Sequence, residues 1–235
     1  MRIPIVCSVC SAENQGIAVY YPDEMRDDGV YIGSCPSGHR VVVATQTLRH
    51  EMLFEVGLSA LSDGYPRDAI SSFAAAVERF YEFAVMVLLR SAAIPQDAVA
   101  TAWKVVSSQS ERQFGAFVFL WLRAYGEMPT MVSRKMVELR NEVIHKGVLP
   151  TPESAVVYGE NAYNVISDGI QKLRASHLDA VNGVLGEQVA IRAAKMGGEY
   201  PRGFMVTPTA LNVIRDTTEH LPGFNEILKN YRQIA

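Results

Sequence analysis

Residues 65–90 read YPRDAISSFAAAVERFYEFAVMVLLR, and this stretch decides how we expect the chain to fold. Pro66 stands in the first turn of a helix, where proline is tolerated because the amides there have no intrahelical acceptor. Apolar residues then recur every three or four positions and form one helical face: Ala69, Phe73, Ala76, Phe80, Ala84 and Val87. The pattern predicts a long amphipathic helix that ends near Arg90.

Helical patterns continue on both sides of this stretch. A shorter helix is predicted before it, and later helices begin at four further positions: Pro95, about Gln113, about Thr130 and Pro152. Gly147 is a C-cap signal after the helix that begins near Thr130. Clear strand patterns are absent between residues 50 and 185. We therefore predict a mainly α protein in which residues 46–185 form an up-and-down helical bundle.

The last fifty residues are harder to interpret. Glycine and proline divide residues 186–235 into short pieces, which we treat as a C-terminal extension of mixed elements. Phe204-Met205-Val206 is typical of a short strand, and Tyr200-Pro201-Arg202-Gly203 reads as a turn with an exposed arginine.

The first 45 residues have a different pattern. Cys7-x-x-Cys10 and Cys35-Pro36-Ser37-Gly38-His39 are two turns separated by short strand-like runs. Structural zinc prefers four nitrogen or sulfur ligands in a tetrahedron, so we predict a structural Zn²⁺ held by Cys7, Cys10, Cys35 and His39. Residues 1–45 resemble a zinc ribbon of the Cys3His type. The alternative is three unrelated cysteines and a surface histidine.

Charge and hydropathy restrict the partners. The net charge is −3 and the pI is about 6.0, so the chain lacks a global basic field and any contact with RNA or DNA needs a local basic patch. The N-terminus has no apolar core of a signal peptide. The longest apolar run, near Ala116–Leu122, is far shorter than the roughly 20 residues of a membrane span. We expect a cytoplasmic protein without a membrane partner.

The segment Arg140-Asn141-Glu142-Val143-Ile144-His145 carries the chemistry. A guanidinium matches phosphate oxygens well, and an imidazole exchanges protons near neutral pH. On a helical wheel Arg140 lies inside an apolar arc, with Asn141 and His145 together on its flank.

A guanidinium on an apolar face needs a partner, because an unpaired buried charge is costly. One candidate is a carboxylate of the preceding long helix, Glu78 or Glu82. The other candidates are a phosphate or the matching helix of a second subunit.

Arg-Asn-x3-His near the end of a late bundle helix, after a long helix such as residues 69–90, resembles the HEPN superfamily of α-helical domains over about residues 48–180. The resemblance implies a metal-independent endoribonuclease that acts as a homodimer, with Arg140, Asn141 and His145 as catalytic residues. It implies cleavage by attack of the ribose 2′-OH, and it associates the chain with prokaryotic defence or toxin–antitoxin systems.

Two other functions stay open. Some HEPN domains imply a non-catalytic nucleotide-binding or protein-interaction adaptor, in which Arg140 and His145 hold the dimer or bind a nucleotide. An unrelated helical zinc protein, such as a transcriptional or scaffold module, is the third hypothesis. It is favoured by a structure in which an intramolecular carboxylate closes off Arg140 and no cleft lies at His145.

Overall fold

The computed structural model describes residues 4–13, 16, 18–22, 25–207, 209–213 and 222–234. Within these residues the chain is mainly helical with a small β region, as predicted. The helices are α1 Ser8–Ala12, α2 Arg49–Ser62, α3 Pro66–Ser91, α4 Gln96–Val106, α5 Ser110–Tyr125, α6 Arg134–His145, α7 Pro152–Lys195 and α8 Phe224–Ile234. The strands are β1 Ile5–Val6, β2 Val19–Tyr20, β3 Val30–Ser34, β4 Arg40–Thr45 and β5 Arg202–Met205.

The chain divides into two compact units. The first, which we call the β unit, contains Met1–Thr47 and Leu185–Pro208. The second, the helical unit, contains Leu48–Val184 and Thr209–Ala235. Residues 186–235, which we expected as a separate extension, are therefore shared between the two units.

Helix α3 forms the centre of the helical unit and packs against α2, α5 and α6. The residues of its predicted apolar face are all completely buried: Ala69, Phe73, Ala76, Phe80, Ala84 and Val87. No strand occurs between residues 50 and 185, a range that the structure describes throughout. The 3.6-residue period thus identified both the helix and the face that it buries.

Two aromatic rings of α3 pack directly against glycines. The Phe73 ring lies against Gly57 of α2, where an added Cβ would be 2.5 Å from ring atoms, and against Gly159 of α7, where it would be 2.8 Å away. A methyl group at Gly169 of α7 would overlap the Phe80 ring. Glycine therefore allows α2 and α7 to approach α3 more closely than any other residue would.

From Pro152 the sequence pattern predicts a helix that ends near Leu178, but helix α7 extends beyond that residue. His177 has non-helical angles, φ −137° and ψ 37°, and the helix resumes after it as far as Lys195. The sequence pattern therefore predicted where the helix is interrupted, but it did not predict the helical segment that follows. None of the described helices combines the length and apolarity that crossing a bilayer requires.

The β unit contains a three-stranded sheet in the order β3-β4-β5. Strands β3 and β4 are an antiparallel hairpin, and β5 pairs with β4 in parallel, with Val42 opposite Arg202. On one face, Val30, Val42 and Ala44 pack with Met196. On the other face, the Tyr20 ring covers Gly33, where an added Cβ would overlap it.

The close packing of α7 on α3 is testable through Gly169. Gly169→Ala should destabilise the protein by about 1–3 kcal/mol, because the methyl group forces the buried Phe80 ring out of its position. Gly115→Ala is the matched control, since Gly115 lies inside α5 with no atom within 4 Å of an added Cβ. That control should be neutral or stabilising by up to about 1 kcal/mol.

Urea unfolding followed by circular dichroism measures both variants. In a double-mutant cycle with Phe80→Leu, the losses should be less than additive, because a smaller side chain leaves room for the methyl group. Equal free energies of unfolding for the Gly115 and Gly169 variants would contradict the packing constraint.

Candidate functional site

The three cysteines and His39 meet in the β unit. Cys7 is the N-cap of α1 and Cys10 lies within that helix. Cys35 and His39 flank the turn between β3 and β4, which is closed by a 3.0 Å hydrogen bond from the Cys35 amide to the His39 carbonyl. Gly38 has a φ of +85°, a backbone angle that glycine adopts at no steric cost. The two turns predicted from the sequence therefore bring their side chains together.

The four side chains are close enough together to hold one metal ion. The ligand atoms all lie within 4.8 Å of one another, and the Sγ atoms of Cys10 and Cys35 are 3.8 Å apart. Nδ1 of His39 is 3.2 Å from Sγ of Cys10 and 3.7 Å from Sγ of Cys35. In a tetrahedron with the bond lengths of zinc, the sulfur–sulfur edge is about 3.8 Å and the sulfur–nitrogen edge about 3.6 Å. The residues present therefore fit a metal ion.

The surroundings agree with a metal rather than a disulfide. All three cysteines are buried and unpaired, and the Cys10–Cys35 separation of 3.8 Å is far longer than the roughly 2.05 Å of a disulfide bond. Nε2 of His39 is 3.9 Å from a Glu13 carboxylate oxygen, which places a carboxylate beside the outer nitrogen of the ring. Burial, followed by the nearby Cys7 and Cys35, raises the pKa of Tyr20 to about 12, so its phenol stays protonated beside the cluster.

Arg140, Asn141 and His145 converge in the helical unit. Nη1 of Arg140 donates a 3.0 Å hydrogen bond to Oδ1 of Asn141 and lies 3.4 Å from Nε2 of His145. Because a guanidinium has only donors, the His145 nitrogen can take part in this longer contact only as an acceptor. Asn141 and His145 are exposed. The three residues singled out in the sequence therefore form one cluster at the end of α6.

The guanidinium also has an intramolecular partner. Nη2 of Arg140 donates a 2.9 Å hydrogen bond to a carboxylate oxygen of Glu78 on α3. Glu82, the other carboxylate considered, accepts from Arg79 at 2.6 Å instead. The pair is not sealed from solvent, since the Arg140 and Glu78 side chains are 23% and 29% exposed.

A pocket of about 350 Å³ lies beside this pair. Its walls are mainly apolar, with Arg140, Glu78 and Asn141 as polar members. The lining residues are Ala74, Val77, Glu78, Tyr81, Ser110, Glu111, Phe114, Met131, Val132, Val137, Arg140, Asn141 and Tyr158. Such a volume is at the lower end of the range for small-ligand sites. His145 does not line the pocket. Arg140 lines the pocket and also contacts the His145 imidazole, so it lies between them.

Sequence reasoning missed the aromatic members of the pocket. Tyr81 and Tyr158 are each more than nine-tenths buried, and burial raises the pKa of both phenols. Neither hydroxyl has a hydrogen-bond partner in the part of the chain that the structure describes. The one local feature of the sequence that indicates this part of the pocket wall is the i, i+3 spacing of Glu78 and Tyr81 on α3, which places both side chains on the same side of the helix.

No protein-family model, curated protein or solved structure matches this chain. The roles of the two clusters therefore depend on their own chemistry. The first has the donor set of a closed metal site, and the second combines a phosphate-binding cation with a proton-exchanging imidazole.

Cys10→Ser should abolish metal binding. Purified wild-type protein should contain one metal ion per chain by elemental analysis, and the variant should contain almost none, because an alcohol is a far weaker ligand than a thiolate. The β unit of the variant should also lose stability, since metal binding contributes directly to folding.

Ser11→Ala, at the exposed neighbouring position of α1, is the control and should keep the metal. Retention of the ion in Cys10→Ser would remove Cys10 from the ligand set. Absence of any ion from wild-type protein purified without chelator would count against the whole site.

Proposed function

We propose that this chain is a HEPN-type, metal-independent endoribonuclease that acts as a homodimer and contains a structural Zn²⁺ site. The observation that supports it is the convergence of Arg140, Asn141 and His145 at an exposed edge of the helical unit, with Arg140 within hydrogen-bond distance of both others. A guanidinium beside an imidazole is a combination suited to breaking a phosphodiester bond.

In this proposal His145 removes the proton from the ribose 2′-OH, or protonates the leaving 5′-oxygen. Arg140 stabilises the negative charge that develops on the phosphorane oxygens, and Asn141 orients its neighbours. The 2′-oxygen forms a bond to phosphorus while the bond from phosphorus to the 5′-oxygen breaks. The products are a 2′,3′-cyclic phosphate and a 5′-hydroxyl. These steps need no metal ion at the cluster.

The homodimer would bring two Arg140–His145 clusters into one cleft, as the resemblance implies. Exposed apolar side chains of the pocket wall, Met131 and Val137, support an interface in this region. Zn²⁺ is proposed for the Cys3His cluster because three thiolates and an imidazole suit that ion, and four protein ligands leave no open position for chemistry. A cytoplasmic defence role is proposed by family association alone.

His145→Ala should abolish RNA cleavage while leaving the fold intact. Loss of acid–base catalysis should reduce the rate at least about 100-fold. The assay is cleavage of labelled single-stranded RNA by zinc-loaded protein in buffer without other divalent cations, with detection of the cyclic phosphate end.

Lys146→Ala is the matched control, because Lys146 is the exposed neighbour and, among the residues that the structure describes, pairs with Glu142 at 3.6 Å. It should cut at the wild-type rate. Cleavage that persists in His145→Ala would exclude His145 from the mechanism, and inactive wild-type protein would favour the second function.

The second candidate is a non-catalytic adaptor that binds a nucleotide or a protein partner. The Glu78–Arg140 pair favours the form of this adaptor that binds a protein, because the carboxylate competes with a phosphate for the guanidinium. The net charge of −3 also favours it, since it weakens general RNA binding.

Arg140→Ala separates the two candidates. For an adaptor, light scattering should show a weakened dimer, and wild-type protein should not cut RNA. Glu78→Gln is the companion variant: it keeps an acceptor for Arg140 but removes the competing charge, so it should speed RNA cleavage only if Arg140 binds the phosphate. An unchanged dimer mass and unchanged nucleotide binding in Arg140→Ala would contradict the adaptor.

A further inference from the structure

One face of the three-stranded sheet in the β unit presents aromatic and cationic side chains to solvent. Alternate residues of a strand face opposite sides, and paired residues share a side. The pairing of Ile32 with Val42 and of Val42 with Arg202 places these residues in one row across the sheet. Phe204 on β5 and Arg40 on β4 are two residues from members of this row and lie on the same side.

The residues at the edges of this face are exposed to solvent, whereas the residue at its centre is buried. Val42 is fully buried, whereas Ile32 is 53% and Phe204 50% exposed. Arg40 and Arg202 are exposed as well. Exposed apolar side chains that share one face with polar residues at its rim are typical of an interaction site.

Tyr200 completes the surface. The Arg40 guanidinium carbon lies 4.8 Å from the centre of the Tyr200 ring, a cation–π arrangement. The Tyr200 hydroxyl donates a 2.6 Å hydrogen bond to Glu199, which fixes the direction of the ring. We call Arg40, Tyr200, Arg202 and Phe204 the aromatic–arginine face.

The charges on this face are unbalanced. Among the residues that the structure describes, no carboxylate forms an ion pair with Arg40 or Arg202. Glu199 is the acid that directly contacts the face, through Tyr200. Two guanidiniums against one carboxylate leave a local positive charge, which the net charge of the chain conceals.

We propose that the aromatic–arginine face binds single-stranded nucleic acid. Exposed aromatic rings stack on bases of any sequence, and neighbouring guanidiniums contact the phosphates between them. A purely apolar partner would leave two guanidiniums without counter-charges, whereas a polyanion with stacking bases satisfies both features. This inference goes beyond the proposed function, because it concerns other residues and requires no cleavage.

The experiment measures fluorescence anisotropy of labelled oligonucleotides of roughly 12 nucleotides, within the range that one sheet platform occupies. Single-stranded DNA is used with the full wild-type chain, because it has no 2′-OH to be cut. RNA of the same sequence is used with His145→Ala. Binding of both oligonucleotides shows stacking and phosphate contacts, and binding of RNA alone adds a contact to the 2′-OH; either supports the proposal.

Phe204→Ala should weaken binding about 5- to 100-fold through the loss of one stacked base. Arg202→Gln should lower the slope of log Kd against log salt concentration by about 0.7, as expected for one lost phosphate contact on a single strand. The matched controls are Phe119→Ala and Arg123→Gln on α5, which remove a more exposed ring and an exposed cation elsewhere. They should bind as wild type.

Glu199→Gln tests the face through an expected increase in affinity for nucleic acid. It keeps an acceptor for the Tyr200 hydroxyl but removes the one contacting negative charge, so binding should tighten severalfold at low salt. Metal content measured for each variant confirms that the β unit is folded.

Three results would overturn the proposal. The first is no binding of either oligonucleotide by folded, metal-loaded protein. The second is an equal loss of affinity in the α5 controls. The third is a changed oligomeric mass in Phe204→Ala with unchanged nucleic-acid binding, which would make the face a protein interface. RNA cleavage lost in His145→Ala while binding persists would leave both proposals standing, since the two readouts are separate.

Discussion

The packing of Phe73 and Phe80 against glycines is the constraint on which the helical unit depends. Gly57, Gly159 and Gly169 give the two rings room that any side chain would fill. The buried face of α3 is thereby fixed in rotation. Glu78 lies between the two phenylalanines in sequence and on an adjoining face of the same helix, so its position toward α6 follows from how those rings are packed.

That position decides the state of Arg140. Glu78 holds one end of the guanidinium, while the other end contacts Asn141 and His145. A carboxylate partner lowers the cost of placing a cation on a partly apolar helix face, and it also orients the fork of donors. In the proposed functions the same contact would have two opposite effects, because it would preorganise Arg140 for a phosphate and would also compete with that phosphate. The balance between them distinguishes a nuclease from an adaptor.

The two faces of the three-stranded sheet in the β unit have different surroundings. On one side, Tyr20 packs over Gly33 beside the Cys3His cluster, and a metal ion bound there would supply folding energy that so small a unit could hardly obtain from apolar burial. On the other side, Met196 closes the centre of the face while Phe204 and Arg202 stay exposed at its edge. Strand β5 provides both of these exposed residues and is also the third strand of the sheet.

The sequence by itself determined what short-range periodicity and spacing encode. The buried residues of α3 and the Arg140–Asn141–His145 group follow from spacings within one helix, and the four candidate metal ligands follow from spacings within two short turns. Only the tertiary structure decided that Glu78 rather than Glu82 pairs with Arg140, that Tyr81 and Tyr158 line a pocket, and that β5 joins β4 across more than 150 residues. In each case the contacting residues are distant along the chain. Local sequence patterns are compatible with several such contacts, and the packing of the elements determines which one forms.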